Sequence, residues 1–114
     1  MVEHFLRRNV EAITNPDRPP GCLSVQGGLA AGPDGADVSA LLARERRRGE
    51  EALRDRFQRA ADEGDLGPDV DPGDLARYVM ALLAGLAVQA GAGATRDDLS
   101  RAVDLALRCL LAAL

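Results

Sequence analysis

Aromatic side chains make up only 3% of the 114 residues, and the chain has one histidine and two cysteines. With so little aromatic mass the core must be aliphatic, and the apolar residues are mostly Ala and Leu, which lose little on entering a helix. β-Branched residues are scarce, and no stretch alternates apolar with polar long enough to make a half-buried strand. An all-α fold is predicted. Lysine is absent, all 14 basic residues being arginine, a sign of GC-rich coding that carries no chemistry by itself. The longest apolar run, Val79 to Val88, is about half of what a membrane span needs. The first apolar positions are interrupted by His4, Arg7 and Arg8, unlike a signal peptide, and Cys22 and Cys109 lie far apart. The expectation is a soluble, cytoplasmic protein with free thiols and no membrane partner. The net charge of −4 argues against direct binding of duplex DNA, which depends on a basic surface.

Apolar spacing divides the single domain, residues 1–114, into a bundle of five helices. Val2, Phe5, Leu6, Val10 and Ile13 share a helical face that Asn15-Pro16 ends. After the rigid turn Asp17-Arg18-Pro19-Pro20-Gly21, a short second helix carries Cys22, Leu23, Val25, Leu29 and Ala30 and stops at Gly32-Pro33. A third starts at an Asp34 cap and runs to about Glu63, with Gly64 as its stop. Its buried positions are expected at its two ends, at Val38, Leu41 and Leu42 and at Leu53, Phe57 and Ala60, with a polar middle between them. Asp71-Pro72 is a strong start for a fourth helix reaching about Ala90. Gly91-Ala92-Gly93-Ala94 is expected to be a flexible joint, and Thr95 caps a fifth helix with Asp97 and Asp98 in its first turn.

The last two predicted helices are apolar nearly all round. In the fifth, Ser100, Arg101, Asp104 and Arg108 fall in one polar sector, leaving Leu99, Val103, Ala106 and Leu110 on the broad apolar remainder. In the fourth, Leu75, Val79, Leu82 and Leu86 form one face, Ala76, Met80, Leu83 and Ala87 an adjoining one, and the small residues Ala81, Ala84, Gly85 and Val88 a back that a partner helix can approach closely. Two arrangements cover this surface: a monomeric bundle in which the first two helices do so, or a symmetric dimer through the last two. Scarcity of covering surface favours the dimer, with Leu75, Val79, Ala81, Leu82, Gly85, Leu86, Val88, Leu99, Val103, Ala106 and Leu110 as its interface.

Signatures of chemistry are weak. His4 has neither cysteine near it at metal-ligand spacing, so no metal or other cofactor is expected. Ser24, Ser39 and Ser100 lack the local pattern of an activated nucleophile, which disfavours an enzyme. The glycines at 27, 28, 32 and 35 lack the Lys-Ser/Thr ending of a phosphate loop. Arg44, Arg46, Arg47 and Arg48 are interleaved with Glu45, Glu50 and Glu51, the pattern of a solvated face; the functional alternative is an arginine turned inward to an anionic effector. Cys22 beside Arg18 is either a buried thiol or a redox-sensitive one. Candidate ligand contacts are apolar positions carrying a ring or a polar atom: Phe5, Cys22, Gln26, Phe57 and Tyr78, each weighed against ordinary core or surface.

The string from Asn15 to Leu29, with Pro19-Pro20-Gly21-Cys22-Leu23 at its centre, resembles the middle of the C-terminal domain in TetR/AcrR-type transcription regulators. The resemblance continues through the Arg/Glu-rich helix, the turn from Ala60 to Leu66, the Asp71-Pro72 start, and Leu86 to Thr95. It implies a homodimer whose last two helices form an intersubunit four-helix bundle, with a cavity for a small effector among the earlier helices. It also implies a helix-turn-helix head that contacts operator DNA, which is expected to be missing before Met1 together with the helix linking head to pocket. The reading that follows is an effector-sensing and dimerisation domain, with a purely structural dimerisation module and a small helical enzyme as the alternatives.

Overall fold

A computed structural model describes residues 1–21 and 35–113, which form four helices and no strand. They are α1 (Val2–Ile13), α2 (Ala36–Asp62), α3 (Pro72–Gly91) and α4 (Arg96–Ala113). The short helix expected from Cys22 to Ala30, and the Asp34 cap, lie outside the described residues.

Local chemistry sets the helix ends. At the end of α1 the Thr14 hydroxyl donates to Val10 O at 2.6 Å, and the Asp17 N–H donates to Asn15 Oδ1 at 2.9 Å, turning the chain. Gly21 closes this loop through its N–H to Ile13 O at 3.0 Å, with a φ of +99° that glycine adopts without strain. Helix α2 ends in a paired 6→1 and 5→2 closure: Asp65 N–H donates to Ala60 O and Gly64 N–H to Ala61 O, with Gly64 left-handed at +82°. Helix α3 ends the same way, Ala94 N–H donating to Gln89 O and Gly93 N–H to Ala90 O, with Gly93 at +103°. The joint expected to be flexible is thus a hydrogen-bonded turn.

The starts of α3 and α4 are capped by side chains. Asp71 Oδ2 accepts from Asp74 N–H at 2.9 Å, with Pro72 in the first turn where no donor is lost. Thr95 and Asp98 cap each other: Thr95 Oγ1 accepts from Asp98 N–H at 3.1 Å, and Asp98 Oδ2 accepts from Thr95 N–H at 2.9 Å.

Helix α1 runs antiparallel to α4 and supplies Leu6, Val10 and Ile13 to the core. There they meet Val79, Leu86 and Ala87 of α3 and Leu99, Val103 and Leu110 of α4. Helix α2 lies antiparallel on α3 and contributes Leu53 and Phe57. Its N-terminal end does not bury as expected: Val38 and Leu41 are about half exposed. Polar ties fasten the rim. Arg7 donates to Asp104 at 2.6 Å and to Glu3 at 3.1 Å, and these carboxylates, Asp104 first, hold its guanidinium in the charged form. Arg96 donates to Thr14 Oγ1 and Glu11 O, and Arg77 to Glu50 at 3.2 Å.

Candidate effector groove and exposed helix face

Both α1 and α2 pack on α3, yet their Cα atoms stay more than 8 Å from each other. A groove therefore opens between them, floored by α3. Its wider compartment, about 790 Å³, has Met80 and Leu83 as floor, Phe5 on the α1 wall and Leu53 and Phe57 on the α2 wall. A narrower compartment of about 500 Å³ continues past Asn9 and the same Met80 and Leu83 to Ile13, Ala84 and Ala87. Asn9 is fixed at the junction, its Nδ2 donating to Phe5 O at 2.8 Å. A space of this size, mostly aliphatic with a few placed polar groups, has the make-up of a small-molecule site.

Glycine shapes one wall. A Cβ on Gly49 would stand 3.5 Å from Met80 Cε, so the missing side chain keeps the α2 edge of the wider compartment open.

Of the candidate ligand contacts, Phe5 and Phe57 are brought together on this groove, Phe5 half-buried and Phe57 at 1% exposure. Tyr78 is not. It lies on the far side of α3, exposed and beside Cys109 and Leu110 of α4, because it is one residue before the core position Val79 and turns away from α1. Cys22 and Gln26 lie outside the described residues. Reasoning from sequence missed Asn9, Met80 and Leu83, which read as ordinary helix positions; their adjacency arises only when two helices straddle a third.

The expected interface residues divide in two. Leu75, Val79, Leu86, Leu99, Val103, Ala106 and Leu110 are buried within the chain's own core, none more than 7% exposed. Within one chain they lie on the inner faces of α3 and α4, which α1 occupies. Ala81, Gly85 and Val88 are exposed and Leu82 half-buried. Helical spacing joins Tyr78, Leu82 and Gly85 into a stripe on α3, and Ala102, Leu105 and Cys109 into one on α4. Tyr78 and Cys109 line one shallow cavity, which places the two stripes side by side. Leu105 is 59% exposed.

Among the described residues no cluster of His, Cys, Asp or Glu could hold a metal ion, and no helix is long and apolar enough to cross a membrane.

With this geometry in view, the sequence matches the family model for the tetracyclin repressor-like C-terminal domain over residues 2–106. The chain belongs to that family. It is the C-terminal domain type of TetR-family transcriptional regulators, which is not an enzyme family. Two solved structures of the TetR family transcriptional regulator CifR, cysteine mutants in complex with operator DNA, superpose with a TM-score of 0.86 at 36% and 34% identity. Each alignment covers 94% of this chain and 56% of that one. A putative TetR transcriptional regulator from Rhodococcus sp. RHA1 superposes with a TM-score of 0.76 at 40% identity, covering 95% of this chain and 57% of that one. The TetR-like domain thus spans a little over half the length of these relatives. No curated protein sequence matches it.

Proposed function

We propose that this TetR-like domain senses a small, mostly apolar effector in the groove between α1 and α2, and that it dimerises through the outer faces of α3 and α4. The groove carries the first part. Two helices held apart on a third leave a lined space that the described side chains do not fill, with Phe5 and Phe57 as its walls and Met80 and Leu83 as its floor. The stripe of Tyr78, Leu82 and Gly85 beside Ala102, Leu105 and Cys109 supports the second, because an apolar surface with small residues suits a second copy of the same helices. The dimer is then an intersubunit four-helix bundle of α3 and α4, with Leu75, Val79 and Val103 inside each subunit and the stripe residues between subunits.

In a regulator of the length of its relatives, a helix-turn-helix head contacts operator DNA in the cytoplasm, and the effector alters the spacing of two heads. That requires the effector to bind one spacing more tightly than the other, since equal affinity shifts nothing. The groove meets the requirement if it changes shape as α1 moves relative to α2, whose backbones stay more than 8 Å apart.

A thermal-shift screen against aliphatic and aromatic metabolites tests this reading, with Gly49→Trp as the control that fills the groove. A compound that raises the unfolding midpoint of the unaltered chain and not of the variant supports effector binding. Silence across the library, with the dimer intact by light scattering, assigns the domain a purely structural dimerisation role.

A further inference from the structure

The chain carries a net charge of −4, yet the side chains lining the groove run strongly the other way. Arg8 and Arg56 stand at the wider compartment, which has no carboxylate among its described lining residues. Arg46, Arg47 and Arg77 stand at the narrower one, with Glu50 as the one carboxylate among the described residues there. Glu50 is already engaged by Arg77 at 3.2 Å. In a chain with 18 acidic residues against 14 basic ones, the described residues thus gather five arginines and a single, engaged carboxylate around one apolar trough.

The neighbouring cavity at the far ends of α1, α2 and α4 shows that this is no general property of the surface. Of about 810 Å³, it is lined by Arg7, Arg56, Arg59 and Arg108 but also by Glu3, Glu63, Asp65 and Asp104, so its charges balance. Among the described residues, the wider compartment of the groove combines an aliphatic floor with arginines and no carboxylate, and the narrower one sets three arginines against Glu50. Aliphatic walls recognise an apolar body, and guanidinium groups at their edge recognise a carboxylate, which they bind in a planar, two-pronged geometry.

We propose that the groove is selective for an anionic amphiphile: an organic acid with its chain or ring between Phe5, Phe57, Met80 and Leu83 and its carboxylate at the narrower compartment, towards Arg47. The head sits there because Arg47 of α2 and Asn9 of α1 line the same compartment, where Asn9 offers a polar contact beside the aliphatic floor. The wider compartment is the better lodging for the body, since Met80, Leu83, Leu53 and both phenylalanine rings meet there. The proposal rests on the groove being the effector site, and names the chemistry it selects.

The test is isothermal titration of the intact chain at low salt with three probes sharing one eight-carbon tail: octanoate, 1-octanol and octyltrimethylammonium. Octanoate is expected to bind about tenfold or more tighter than either other probe, an advantage that shrinks as salt screens the arginines. Arg47→Gln is expected to lower octanoate affinity towards that of octanol and to leave octanol binding as it was, while circular dichroism reports an unchanged helix content. Octanol or the cation binding as tightly as octanoate, or Arg47→Gln weakening octanol and octanoate alike, overturns the charge selectivity and leaves the effector groove standing. No binding of any of the three overturns both.

Discussion

Arg7 on α1 donates to Asp104 on α4 at 2.6 Å, while at the other end of the same two helices Arg96 donates to the Thr14 hydroxyl at 2.9 Å. The two contacts clamp α1 at both ends of its seat on α4, and the Leu6 and Val10 side chains between them are almost fully buried. Helix α1 is thereby fixed against α4, with its Cα atoms more than 8 Å from those of α2 across the groove.

The clamp at Arg7 is half-exposed, so its contribution is screened. Arg7→Gln is expected to lower the unfolding midpoint at low ionic strength, with the difference from the unaltered chain fading in concentrated salt. Thermal melts at both ionic strengths check this; a salt-independent loss would mean that packing of the arginine stem dominates.

Asp98 titrates below the ordinary 3.8 of its class, held there by the Thr95 backbone N–H first, then the Thr95 hydroxyl and Arg101. A carboxyl whose folded pKa is depressed contributes stability above its unfolded pKa and loses it as pH falls through the folded value. Asp98→Ala is therefore expected to be less stable at neutral pH, with the gap constant down to about pH 5 and closing in acid below about pH 4. Urea titrations across that range check it.

Glycines at different sites respond oppositely. Gly49 is inside α2, where a Cβ would make only an ordinary van der Waals contact with the flexible Met80 end at 3.5 Å, so Gly49→Ala is expected to stabilise the chain by about 0.5–1 kcal/mol. Gly93 closes α3 with φ +103°, and Gly93→Ala is expected to destabilise by about 1–2 kcal/mol although nothing stands within 4 Å of the new methyl group. Denaturant unfolding of the two variants gives the sign directly.

Phe57 is 1% exposed and spans the core and the groove wall. Phe57→Ala is expected to cost about 3–5 kcal/mol, a large share of the stability of a domain this small. Phe5→Ala, at the half-buried wall across the groove, is expected to cost less and to weaken effector binding more in proportion. Paired unfolding and titration experiments separate the two roles.

Leu105→Glu places a charge on the outer stripe of α4 without touching the core. Light scattering is expected to show a folded monomer for this variant and a dimer for the unaltered chain. Val103→Glu, fully buried, is expected to unfold the chain instead.

The helix starts and stops were readable in advance because each rests on a contact between near neighbours in the chain. Asp71-Pro72, Thr95 with Asp98, and Gly64 all act within a few residues, and each stands where its chemistry requires. The all-helical class and its resemblance to a regulator domain were readable for the same reason, since aliphatic spacing and turn residues leave their pattern along the chain. Dimer and core could not be told apart in this way. Val79 and Leu82 are both leucine-like positions on one helix, and only the seating of α1 decides that the first is interior and the second on the rim.

By itself, then, the sequence determined the side-chain caps that open α3 and α4, the glycine stop of α2, and that α3 and α4 needed covering on more than one side. Only the tertiary structure decided which side the chain covers itself. It also decided that Asn9, Met80 and Leu83, scattered over two helices, meet beneath a gap between α1 and α2. The physical reason is range: caps and stops are energies of residues three to five apart, whereas a groove exists only through the distance that α3 imposes between two helices remote from each other along the chain.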